Sequence, residues 1–125
     1  VFRTKQAWQV VQNANDPDAT IILDAFHNWN SASTLEDMRA IPGDKIAHYH
    51  INDAAKGRPQ MQQIDADRVM VGDGVCDLKA EIELLKEKNY QGCISLELFN
   101  PDLWKQDPLE ALKLGLERVK EVVSL

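Results

Sequence analysis

Apolar residues along this chain follow two rhythms. Short runs around Ile21-Ile22-Leu23, Ile46-Ala47 and Ile94-Ser95-Leu96 read as strands, and longer stretches with apolar positions three and four apart read as helices. The first helix spans Arg3 to Ala14, and Asn15-Asp16-Pro17-Asp18 turns the chain into a strand from Thr20 to Ala25. Phe26 to Ser33 reads as a polar and aromatic loop. Ser33 with Glu36 forms a capping box that predicts a short helix from Thr34 to Ala40. Ile41-Pro42-Gly43-Asp44 ends that helix, and a second strand covers Ile46 to Ile51. Residues 52 to 76 are polar and carry Gly57, Pro59, Gly72 and Gly74, so they read as one long loop of the kind that is functional or disordered.

Asp77 caps a helix running to Lys88, with Leu78, Ile82 and Leu85 inward and Glu81, Glu83, Lys86 and Glu87 on a solvated face. Tyr90-Gln91-Gly92 turns into a third strand, Cys93 to Leu98. Asp107-Pro108-Leu109-Glu110 supplies an N-cap, a proline at the first helical position and an acid in the first turn. The last helix then reaches Val123, with Leu109, Leu112, Leu116, Val119 and Val123 expected on its buried side.

Helices alternating with strands predict an α/β fold with parallel strands and right-handed crossovers. No glycine-rich phosphate loop follows a strand, which disfavours a nucleotide-binding doubly wound sheet. A segment of a βα barrel fits better. Three strands cannot close a barrel, so both sheet edges stay open. The chain also opens on Val1 inside a helical pattern, as a piece cut from something longer would.

Composition narrows the class of partner. The 125 residues are 44% hydrophobic and 27% charged, ordinary for a globular protein with one core. A net charge of −6 and a pI near 5.0, without a Lys/Arg cluster, argue against a nucleic-acid partner. No apolar run approaches the roughly 20 residues of a membrane helix, and no signal-peptide pattern opens the chain. Cys76 and Cys93 lack metal or redox spacing and read as reduced thiols of a cytoplasmic protein.

The three strands end on Asp24, His50 and Glu97, and in parallel βα sheets chemistry collects at the carboxyl ends of strands. Alternation puts Ile22 with Asp24, His48 with His50 and Ser95 with Glu97 on one face. Polar residues on an inward face need partners. A divalent cation such as Mn²⁺, Mg²⁺, Co²⁺ or Zn²⁺ would serve, as would a polar substrate. His27, three residues past Asp24, can face the same pocket or lie in a surface loop. Asp53 can bond the His50 ring or the following loop, or stay solvated. Arg68 can be an exposed side chain or reach substrate oxygens. Phe26, Trp29, Phe99 and Trp104 follow the strands and suit either a sugar pocket or packing.

Four segments together resemble the xylose-isomerase-like TIM-barrel superfamily of sugar isomerases and epimerases, nearest to its inosose (2-keto-myo-inositol) isomerase branch. They are Leu23-Asp24-Ala25-Phe26-His27, His50-Ile51-Asn52-Asp53, Asp67-Arg68 through Gly72-Asp73-Gly74, and Ile94-Ser95-Leu96-Glu97-Leu98-Phe99. The likeness runs from Thr20 to Leu125. It implies that residues 1–125 are the C-terminal part of a (β/α)8 barrel of about 250 residues, holding the sixth to eighth strands. Asp24, His50 and Glu97 then match three of four ligands to one divalent ion, the fourth being a Glu on the fifth strand, before Val1.

The implied reaction is proton transfer next to a carbonyl, through an enediolate, on a sugar or cyclitol substrate. Glu97 resembles one of the two catalytic carboxylates, and His27, Arg68 and Asp53 are candidate substrate-binding residues. Endonuclease IV, in the same superfamily, has a metal-binding His where this chain has Val69, so its three-metal centre is not expected here. Val71 stands where many relatives carry Pro, which leaves the loop conformation open. Two other readings stand beside the isomerase. One is a catalytically silent partial barrel that self-associates or pairs with its missing half; the other is a related metal-dependent dehydratase.

Overall fold

The computed structural model describes residues 1–124, so Leu125, the end of the family likeness, lies outside the described residues. Its elements are α1 (Thr4–Asn13), β1 (Ile21–Asp24), α2 (Ala25–Asn30), α3 (Leu35–Arg39), β2 (Ile46–Ile51), β3 (Asp53–Ala54), β4 (Arg68–Val69), α4 (Leu78–Glu87), β5 (Cys93–Leu96) and α5 (Pro108–Val123). Single 3₁₀ turns sit at Gly43–Lys45, Asp65–Asp67 and Leu103–Lys105. β1, β2 and β5 form a parallel sheet in that order, with Asp24 beside His50 and His50 beside Ser95. The helical connections lie on one face, where Leu23, Tyr49 and Ile51 pack with Met38, Ile82 and Leu85. This is a partial TIM barrel. Its inward face is uncovered, and Ile22 on it is 59% exposed.

Side-chain caps set several helix starts. Asp77 accepts from the Ala80 amide, and Asp107 accepts from those of Leu109 and Glu110, as the sequence predicts. The box before α3 is shifted by one residue. Thr34 and Asp37 exchange the two bonds, at 2.9 and 3.2 Å, while the Ser33 hydroxyl accepts from the Thr4 amide.

Four further expectations are corrected. The segment 26–33 is not all loop, because Asp24 Oδ1 caps the His27 amide and Asn52 Oδ1 takes the Phe26 amide, holding the short helix α2. Its Phe, His, Trp and Asn are weak helix formers, so tertiary bonds override propensity. The stretch 52–76 contains the antiparallel pair β3–β4, with Asp53 opposite Val69 and Ala54 opposite Arg68. Gln63 ties the connection by bonding both the amide and the carbonyl of Ala55.

On α5, Val119 and Val123 pack against the core, but Leu109, Leu112 and Leu116 are exposed. The helix is phased by Gly115, where a Cβ would collide with the Leu96 side chain, and this close seat turns the leucines outward. Glu81 is not on the solvated face of α4. It is 8% exposed and accepts from Tyr49 Oη at 2.7 Å and Asn28 Nδ2 at 3.1 Å. Desolvation pushes its carboxyl up to about 7, against the lowering effect of those two donors.

Candidate metal centre

Strand parity brings Asp24, His50 and Glu97 to one place. One donor atom from each lies within 4.8 Å of the others. His50 Nδ1 is 3.1 Å from Glu97 Oε2 and 3.6 Å from Asp24 Oδ2. Two oxygens and an imidazole nitrogen suit a hard or borderline dication, and three protein donors leave positions open, as catalytic zinc sites do. The centre opens into a cavity of about 250 Å³ whose lining includes Ile22, Asp24, His27, His50, Glu97 and Phe2.

Each candidate ligand is held by a neighbour. Asp24 spends Oδ1 on the start of α2, and its Oδ2 accepts from Asn52 Nδ2 at 3.2 Å. The same Asn52 amide donates to the Glu97 carbonyl, so one fully buried side chain joins the ends of β1 and β5 across β2. The His50 ring meets His48 edge to face, with centroids 4.9 Å apart, and His48 Nε2 is 2.6 Å from Ser95 Oγ. Such outer partners fix ligand orientation.

Arg68 is the hub of the site and only 1% exposed. Its Nη1 donates to Asp24 Oδ2 and Glu97 Oε2, both at 2.9 Å. Its Nη2 lies 3.0 Å from His27 Nε2 and 2.9 Å from Asp65 Oδ1. A guanidinium has no acceptor, so the His27 nitrogen receives that bond on its lone pair. The rings of Phe26 and Phe99 stand 5.0 and 5.2 Å from the guanidinium carbon, in cation–π range. Of the four aromatic candidates, these two therefore pack the site's cation, whereas Trp104 lines an apolar groove with Met70 and Leu96.

Five of the six expected site residues come together: Asp24, His27, His50, Arg68 and Glu97. Asp53 does not join them. Its buried carboxylate accepts from the amides of Gly72, Gly74 and Cys76 at 2.8–3.1 Å, so of the partners open to it the following loop is the one it takes. Gly74 has to be glycine in this arrangement, since a Cβ would strike the Asp53 side chain and the Ala54 carbonyl. Asn52 and Asp65 were missed in the sequence. Asn52 carried a signal, being two residues past His50 and so of the same parity; Asp65 lies in irregular chain and carried none.

Residues 1–122 match the family model described as xylose isomerase-like TIM barrel. An inosose isomerase from Bacillus licheniformis is 35% identical over 119 residues, covering 95% of this chain and 42% of the relative. A solved structure of the IolI protein with a bound zinc atom superposes with a TM-score of 0.93 at 34% identity, over 99% of this chain and 44% of that one. A 3-dehydroshikimate dehydratase from Pseudomonas putida is 31% identical over 97 residues, 77% of this chain and 15% of the relative. The chain thus spans less than half the length of the relatives it matches.

Proposed function

Because this chain belongs to the xylose isomerase-like TIM-barrel family, we propose that it carries most of the metal centre of a sugar or inosose isomerase or epimerase. The observation that carries this reading is the convergence of Asp24, His50 and Glu97 at three adjacent strand ends. The zinc atom in the IolI relative and the name of the Bacillus enzyme support it. In this reading residues 1–125 are the C-terminal part of the barrel, and a carboxylate from the remaining strands completes the ligand set. The two free thiols accord with a cytoplasmic enzyme; among the described residues no helix is long and apolar enough to cross a membrane.

A divalent ion bound there would polarise a ketose carbonyl and its neighbouring hydroxyl. Glu97, part exposed to the cavity, would move the proton between adjacent carbons through an enediolate. His27, on the cavity wall, is a donor for substrate oxygens as charge develops, and Arg68, whose Nη groups are engaged by Asp24, Glu97, His27 and Asp65, joins it when one of those bonds is released. Turnover of a panel of ketoses and inososes by the complete barrel containing this segment tests the reading. Activity is expected to vanish on chelation and with Glu97→Gln, and undiminished turnover in metal-free protein refutes it.

A second reading rests on the dehydratase relative. The same centre could serve loss of water after proton abstraction, and product analysis in that panel separates elimination from isomerisation. As an isolated unit, the chain exposes both sheet edges, Ile22 and the leucines of α5. We therefore expect it to self-associate or pair with the rest of a barrel. A monodisperse monomer in sedimentation would argue against this.

A further inference from the structure

A role toward substrate does not explain why Arg68 sits on the two carboxylate oxygens that a metal would need. A metal needs lone pairs on Asp24, His50 and Glu97, yet Asp24 Oδ2 and Glu97 Oε2 already share one guanidinium nitrogen. His50 Nδ1 is turned toward the same two oxygens. Arg68 Nη1 thus lies where two carboxylates concentrate negative potential, and an incoming dication would compete for the oxygens it holds. Hydrogen bonding alone does not choose this place, because the buried Nε has no partner, an omission that costs about 1–3 kcal/mol. The second nitrogen is already anchored outside the triad, on Asp65, whose side chain is more than half exposed.

We propose that Arg68 is the internal counter-ion of the site, exchanged for the metal: it neutralises Asp24 and Glu97 while no ion is bound, and a divalent cation displaces Nη1 from both oxygens while Asp65 retains Nη2. The proposal rests on the metal reading above. Two carboxylates this close repel one another without a cation between them. A dication at the triad repels the guanidinium, and the fixed charge of Asp65 gives Nη2 a place to stay. Asp65 is then a positioning residue that acts through Arg68. His27 shares Nη2 and would move or re-bond with it.

The test uses the complete barrel containing this segment, with Zn²⁺ titrated by calorimetry, Co²⁺ by visible absorption, and metal-free thermal melts. Arg68→Met keeps an apolar stem between Phe26 and Phe99 but removes the charge. Metal-free Arg68→Met is expected to melt lower than wild type, and adding Glu97→Gln should restore part of the loss. Zn²⁺ should bind Arg68→Met several-fold more tightly, since no guanidinium then competes for Asp24 Oδ2 and Glu97 Oε2. Asp65→Asn, an exposed change that holds the test if Arg68→Met does not fold, should bind Zn²⁺ several-fold more weakly with an unchanged melt. Equal or weaker zinc binding by Arg68→Met, an unchanged metal-free melt, or unaltered affinity in Asp65→Asn overturns the proposal and leaves the metal reading intact. No binding of either ion by any variant overturns both.

Discussion

Glu81→Gln should make the protein's stability less dependent on pH across neutrality. The carboxyl sits behind the sheet, accepting from Tyr49 and Asn28, and burial lifts its pKa from 4.5 to about 7. A raised acid pKa means the folded state holds a proton that the unfolded chain has released. Its contribution is therefore complete below about pH 4.5 and is lost as pH rises through about 7. At roughly 1.4 kcal/mol per pH unit of displacement, the loss is on the order of 3 kcal/mol, a large share of the 5–15 kcal/mol typical of a domain. Of the groups facing this carboxyl, Asp24 and Asp77 raise it further, and the Tyr49 and Asn28 donors lower it without cancelling the effect of burial. Gln keeps the shape and the acceptor oxygen for Tyr49 without titrating. Urea midpoints for both proteins at several values between about pH 5 and pH 8 would show wild type falling relative to Glu81→Gln. Parallel curves would refute the assignment of a protonated Glu81.

Three further changes probe the frame around the site. Gly115→Val should cost about 1–3 kcal/mol, read from a denaturant midpoint, because the new side chain meets the Leu96 side chain, which must repack in the seam between α5 and β5. Asp53→Ala strips the acceptors from three loop amides; a loss on the order of 3 kcal/mol and faster proteolysis within 72–76 are expected. Asp107→Ala removes a cap that serves two amides of α5, for about 1 kcal/mol by thermal melt and a drop in helical circular dichroism.

Strand positions and strand ends were legible because they depend on a period of two and on local side-chain type. Ile46–Ile51 matches its expected bounds, and the polar residue closing each run marks the face that the sheet turns inward. Helix phase was less legible. Five apolar residues at helical spacing on α5 looked like one buried stripe, but a glycine decides the contact, and a hydrophobicity pattern gives glycine no weight. Glu81 failed for the converse reason. An acid among Lys79, Glu83 and Lys86 reads as solvated, and only the Tyr49 hydroxyl and Asn28 amide, 32 and 53 residues away, make its burial tolerable.

The site divides along the same line. Its three metal-type donors sit on regular strands or, for Glu97, one residue past the end of one, so alternation alone could place them on one face. Arg68 sits on a two-residue strand whose pairing with Asp53–Ala54 has no sequence period at all. That short ladder carries the guanidinium under the triad, and the Asp53 carboxylate secures the return of the chain by holding residues 72–76. Asp53 thus reaches the chemistry through the backbone it shapes, although its side chain never faces the pocket. The choice of cation between Asp24 and Glu97 consequently depends on residues in the least periodic stretch of the chain. Altering Asp53 should therefore loosen Arg68 and the Asp24 and Glu97 carboxylates together, without touching any of the three metal-type donors.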